Sequence, residues 1–301
     1  MSRPIILIHR GCPDYLKIVL AQAREYNPDS PLVLLGDSSN AHLIREIPGL
    51  EHEPLQCDSG DSGRFAKVYQ HQSGLDENFE RICFQRWILL RDLMRRRNWD
   101  RLLHLDSDVL LYSDVAQAGK RFDDSAMSLA PWFGDNSRWC GHTCFINHPD
   151  TLDQFVDFMF KLYTTDEGKR LRDKSHIEDG YAISDMTCLG LFRGQTSLAI
   201  ADLTQIVDGA VFDNYITTTQ GIYEKGSRLF RKDIKRIFFK NGVPYCRLKD
   251  NGESICFLSI HFHGNMKYMI RHFAKGKLGV STFLAMICER MNGKLRQYLR
   301  R

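Results

Sequence analysis

The stretch LLHLDSDVLL, residues 102–111, sets two carboxylates, Asp106 and Asp108, one residue apart inside an otherwise apolar run. A short apolar run of this kind reads as a buried strand. In an extended backbone, residues i and i+2 point to one side, so both acids can face a single point where the strand emerges. Two like charges there repel, and a divalent cation relieves them most directly. Hard oxygen ligands favour Mn²⁺ (or Mg²⁺), ions that take their remaining ligands from water and phosphate oxygens. The pair therefore reads as half of a diphosphate site.

Upstream, IILIH (5–9) and PLVLLGD (31–37) are two apolar runs separated by a helical pattern of Leu16, Val19, Leu20 and Ala23. Strand, helix, strand is the unit of an α/β sheet, whose ligands bind beyond the carboxyl ends of its strands. His9, Arg10 and Asp37 stand at those ends. After the turn-rich CDSGDSG (57–63), the pattern predicts a long helix from residue 79, with Phe79, Ile82, Cys83, Leu90, Leu93 and Met94 on one face and Arg86 on that same face. An inward guanidinium needs an anionic partner. Two partners fit: an internal Asp or Glu, or a ligand phosphate.

Downstream, SLAPWF (128–133) and CFIN (144–147) predict further strands, and residues 151–163 a packed helix carrying Leu152, Phe155, Val156, Met159 and Phe160. Residues 178–192 show weaker helical periodicity. Asn241-Gly242 predicts a hairpin within 236–248. A last apolar run, 255–264, ends in His261, His263 and Gly264. His261 reads either as a core histidine near a strand end or as a third metal ligand. Gly264, which lets backbone approach a phosphate, and Lys267, which offers it a compact charge, favour the ligand.

With 301 residues, 43% of them hydrophobic, the chain can bury a substantial core as one large domain or two modest ones. Its nine cysteines include no C-x-x-C pair, which argues against a zinc framework or a disulfide scaffold and predicts reduced, mostly buried thiols. No apolar run reaches the length of a membrane span, and the first run is too short for a signal peptide, so a cytoplasmic or peripheral protein is expected. Residues 267–301 carry nine Lys/Arg against Glu289 alone, a charge of +8. Against the overall +4, the rest of the chain is at −4. Interleaved Phe273, Leu278, Phe283, Leu284, Met286, Ile287, Leu295 and Leu299 make this tail either an amphipathic segment for an anionic membrane surface or a solvated closing helix. An acidic main body does not fit a nucleic-acid binder.

Asp106-Ser107-Asp108 after its apolar run resembles the D-x-D motif of GT-A fold, nucleotide-sugar-dependent glycosyltransferases. His261-Phe262-His263-Gly264-Asn265-Met266-Lys267 is similar to the H-F-x-G-x-x-K segment of their retaining members, the glycogenin-like enzymes and the bacterial lipooligosaccharide galactosyltransferases. Arg86 resembles an arginine near the donor diphosphate. The likeness runs from the first strand to Lys267. It implies an α/β, GT-A (Rossmann-like) mixed sheet flanked by helices, with a catalytic domain over 1–267 and a basic helical tail over 268–301. It implies a hexosyl transfer from a nucleotide sugar, a UDP-sugar, to a glycan, lipid-linked or small acceptor. Asp108 and His261 would bind Mn²⁺ and Asp106 metal and ribose. Lys267 with Gly264 would hold the diphosphate, and the Gly141-His142-Thr143 segment would line the sugar pocket.

One motif departs from the family. Where members carry Asp-Gln near the reacting carbon, this chain has Asp185-Met186, and Met lacks the amide's hydrogen bonds. Retention by front-face attack needs little from the protein, whereas inversion needs a carboxylate base; Asp179 or Asp185 fits either role, and each also fits a surface or capping role. Two competing readings remain. One is a phosphatase of the haloacid-dehalogenase type with Asp106 as nucleophile, although its later G-D-x-x-x-D motif is missing. The other is a non-catalytic membrane-surface module driven by the tail.

Overall fold

A computed structural model describes residues 2–132, 135–178, 180, 182–217, 221–226 and 234–276. The first half alternates strand and helix: β1 (Ile5–His9), α1 (Asp14–Tyr26), β2 (Leu32–Gly36), β3 (Leu50–Pro54), α2 (Gly60–Val68), α3 (Glu77–Arg96) and β4 (Leu102–Leu105). β1, β2, β3 and β4 run parallel, in the order β3-β2-β1-β4. They are apolar because helices cover the sheet: Leu16, Val19, Leu20 and Ala23 of α1 are fully buried. The chain then forms β5 (Val109–Leu111), α4 (Val115–Ala118), β6 (Met127–Trp132), β7 (Asp135–Cys140) and β8 (Thr143–Ile146). β8, β6 and β7 extend the first sheet with antiparallel pairings, which makes it mixed.

Next come α5 (Pro149–Thr164), α6 (Asp166–Asp173), α7 (Asp185–Gln195) and β9 (Ile200–Asp202), the last added alongside β6. A second sheet has the order β10-β13-β12-β11, built from β10 (Ala210–Phe212), β11 (Phe238–Lys240), β12 (Val243–Arg247) and β13 (Ser254–His261). The hairpin β11–β12 turns at Asn241 (φ 51°) and Gly242 (φ 80°), the two positive-φ residues a tight hairpin requires. A 3-10 turn (Gly264–Met269) and α8 (Ile270–Phe273) close the described chain.

The expected α/β class and mixed sheet are present, and the second sheet decides where the site lies. β4 belongs to the first sheet, while β5 pairs antiparallel with β13 of the second, His261 opposite Val109. Asp106-Ser107-Asp108 is thus the hinge at which the chain passes from one sheet to the other. Three differences from the sequence reading follow. In α3, Phe79 is 57% exposed and Glu80 is 3% exposed, because the inner face runs through Glu80, Phe84 and Trp87. The weak helix expected over 178–192 is α7, starting later, at Asp185, behind its Ser184 cap. The packed fold also continues past Lys267, with Met269, Ile270 and Phe273 in the core; residues 277–301 of the expected tail lie outside the described residues.

All eight cysteines among the described residues are free thiols, five of them buried. Among the described residues, no helix is long and apolar enough to cross a membrane.

Candidate functional site

Backbone bonds fix the hinge from both sheets. Asp106 N–H donates to the His142 carbonyl at 2.7 Å, Val109 N–H to the Asp106 carbonyl at 3.1 Å, and Phe262 N–H to the Asp108 carbonyl at 2.9 Å. The tripeptide is a turn rather than extended strand, and its two acids bond different side chains. Asp106 Oδ1 accepts from Arg86 Nη1 at 2.8 Å and lies 3.2 Å from His104 Nε2. Asp108 Oδ1 lies 3.5 Å from His261 Nε2, and its Oδ2 lies 3.1 Å from Lys267 Nζ.

Electrostatics follow this division. Burial works to raise both acids, but Arg86 with His104 holds the Asp106 carboxyl well below its usual range, and His261 with Lys267 holds Asp108 below it. Burial opposes the charged forms of His261 and Lys267, and Asp108 overrides it in each, lifting both above their ordinary values. Charge complementarity at the hinge is therefore mutual.

Arg86 has the internal partners anticipated for an inward guanidinium. It is 9% exposed and bridges Asp106 to Asp185 Oδ2, which also accepts from Trp87 Nε1 at 3.1 Å. Burial alone would lower the Arg86 pKa; Asp185 and Asp106 instead raise it well above its ordinary value. Asp185 opens α7 and is 4% exposed, so its carboxylate is committed to holding Arg86. Asp179 lies outside the described residues.

His261 is 5% exposed, and its Nδ1 is 2.7 Å from the Asn214 carbonyl oxygen. A carbonyl only accepts, so Nδ1 carries a proton, and Nε2 is the nitrogen that faces Asp108 and is bare whenever the ring is neutral. His142 packs against this ring in a tilted stack, centroids 4.1 Å apart and planes at 32°. Burial, and His261 beside it, drive the His142 pKa well below the ordinary histidine value, so it sits there neutral. Gly264 adopts φ +56°, open only to glycine without strain, and starts the turn that brings Lys267 back to Asp108.

The β1 and β2 ends contribute unequally. His9 Nδ1 is 2.8 Å from Ser107 Oγ, which places it beside the acids; burial, then Lys267, lowers its pKa. Asp37 accepts from Gly11 N–H at 2.7 Å and Ser39 N–H at 2.9 Å, bonds that with the Ser39 hydroxyl keep its pKa low and shape the loop after β1. Arg10 is exposed on that loop. A cavity of about 190 Å³ lined by Asp14, Tyr15, Lys267 and Arg271 adjoins the site. A larger groove of about 360 Å³ between α5, α6 and α7, which includes Lys161 and Phe192, contains none of these side chains.

Among the described residues, no group of three or more His, Cys, Asp or Glu is gathered into a metal cage. The donor chemistry nevertheless suits a metal at two positions: Asp108 and the carbonyl-oriented His261 face each other, as a histidine ligand with a fixed tautomer requires. Asp106 has one oxygen engaged by Arg86 and His104. Sequence reasoning missed His104, Asp213, Asn214 and Lys235. The only signal for the middle pair is that the β10 run breaks off into Asp-Asn, as the D-x-D strand does into its acids.

No family model and no curated protein matches the sequence. Solved structures do match in fold. Mouse xyloside xylosyltransferase 1 aligns with TM-score 0.53 at 11% identity, covering 70% of this chain and 88% of that one. An active-site mutant of LgtC aligns with TM-score 0.52 at 13% identity, covering 92% and 97%. The bifunctional glycosyltransferase WbbM aligns with TM-score 0.50 at 11% identity, covering 91% of this chain and 49% of that one. The chain has the GT-A fold of these glycosyltransferases.

Proposed function

We propose that the protein is a metal-dependent glycosyltransferase that moves a hexose from a UDP-sugar to a glycan, lipid-linked or small-molecule acceptor with retention of configuration. The observation that carries this reading is the meeting of Asp108, His261 and Lys267 where β5 and β13 pair, beside Asp106. Asp108, His261 and the open side of Asp106 would hold Mn²⁺ or Mg²⁺, which when bound supplies Lewis-acid stabilisation of the departing diphosphate. Lys267 adds a point charge for the same phosphates, and Gly264 leaves the turn free of a side chain there. His9, Arg10 and the Asp37-shaped loop border the place for the nucleoside.

Arg86 acts by holding Asp106 and Asp185 rather than by touching phosphate. Buried, and with Oδ2 held by Arg86 and Trp87, Asp185 is poorly placed to take a proton from the acceptor, which favours front-face retention, a route that asks little of a protein base. The basic tail over 268–301 would seat the enzyme on an anionic membrane surface, at the cytoplasmic face.

The test is a panel of nucleotide sugars with Mn²⁺, scored by release of free nucleoside diphosphate. UDP release from a UDP-hexose is expected, falling on the order of a hundredfold or more in Asp108→Ala. A wild-type protein that consumes no donor would overturn the reading.

A further inference from the structure

Behind His261 lies an ion pair that the donor site does not use. Lys235 is 5% exposed and Asp213 1% exposed; Lys235 Nζ pairs with Asp213 Oδ1 and donates to the Tyr215 carbonyl at 2.5 Å. The ammonium stands 5.0 Å from the Tyr223 ring centroid and 5.6 Å from that of Phe257. Removing both charges from water is costly, and an apolar pair of similar shape often serves stability as well or better, so a buried pair calls for a geometric role.

That role is visible in what the pair holds. Asp213 Oδ2 accepts from the His261 backbone N–H at 3.3 Å, and the next carbonyl, of Asn214, accepts from His261 Nδ1 at 2.7 Å. The Asn214 side-chain amide donates to the Pro131 carbonyl of β6 at 2.5 Å, and Lys235 N–H donates to the Ile216 carbonyl at 2.9 Å. The turn from Asp213 to Tyr215 is thus pinned to the first sheet on one side and to Lys235 on the other. Its carbonyl is left in one orientation, toward the imidazole.

We propose that Lys235 and Asp213 are positioning residues for His261: their buried pair fixes the Asn214 carbonyl, and through it the His261 tautomer whose bare Nε2 faces Asp108. The metal-dependent reading enters only in giving that nitrogen an ion to hold.

The test reads the tautomer without donor or acceptor, from two-bond ¹⁵N–¹H correlations of labelled imidazoles in the full chain, recorded on the alkaline side of the His261 titration, where its ring is neutral. Binding of Mn²⁺ alone is followed in parallel by electron paramagnetic resonance. Wild type is expected to show the Nδ1–H form of His261. Lys235→Met is expected to mix in the other tautomer and to weaken Mn²⁺ binding by about tenfold or more. A folded Lys235→Met with the wild-type tautomer, or a wild type in the Nε2–H form, overturns the proposal. A tautomer that shifts in a protein that never binds Mn²⁺ leaves the positioning role standing and removes the metal-dependent reading. Should Lys235→Met fail to fold, Asp213→Asn, which keeps shape and removes one charge, is judged by the same two outcomes.

Discussion

Glu80 is the residue whose environment departs furthest from what its neighbours in sequence suggest. It is buried in the first turn of α3, and its Oε2 has no hydrogen-bond partner among the described residues. Burial, then the nearby Asp185 carboxylate, pushes its pKa up to about 7, with Arg86 pulling the other way. A folded protein that binds this proton more tightly than the unfolded chain loses stability as pH rises from the ordinary glutamate pKa to about 7. Glu80→Gln removes that loss. The variant should therefore gain melting temperature relative to wild type between about pH 5 and 8, and a difference constant over that window would contradict the assignment. Reading the helix from its apolar residues held for Arg86, Leu90, Leu93 and Met94 but put Phe79 inside in the first turn, because nothing local signals that an acid is the buried member there. Asp108, His261 and Lys267 were legible because they sit in two compact motifs. Asp213 and Asn214, which bond His261, were not, since they meet it only through tertiary structure, and Lys235 reaches the site only through Asp213.

At the level of elements, the parallel β1-α1-β2 unit and the β11–β12 hairpin could be read directly, each being fixed by short-range periodicity and turn chemistry. The hinge could not, because β5 finds β13 across a long sequence separation. α7 was faint for a physical reason. It packs on β7 through a glycine: a Cβ on Gly190 would fall 1.8 Å from the Ser137 carbonyl oxygen, and backbone cannot yield there. Gly190→Ala should cost about 1–3 kcal/mol in denaturant unfolding by forcing α7 off the sheet. Gly194→Ala, where an added Cβ meets nothing within 4 Å, should be neutral or stabilising by less than about 1 kcal/mol. Equal effects at the two positions would show that the contact with β7 does not seat α7.

For the whole molecule, composition separated a −4 body from a basic end, and the structure sharpens where that end begins. Ile270 and Phe273 belong to the core, so a cut after Gly276 removes most of the basic residues and keeps both. Sedimentation with vesicles rich in anionic lipid should be lost on that truncation and weakened by salt, while nucleotide-sugar turnover persists; binding that survives the cut would remove the tail from the membrane proposal. The two-sheet architecture brings the D-x-D hinge and the His261 strand together, and everything proposed for the donor depends on that junction holding a metal-bridged diphosphate. Calorimetric titration of UDP into the wild type and Asp108→Asn, each with and without Mn²⁺, addresses this at its source. UDP should bind the wild type with Mn²⁺ at least about tenfold more tightly than in any other combination. Equal affinity with and without the metal, or in the variant, would contradict a metal-dependent donor site.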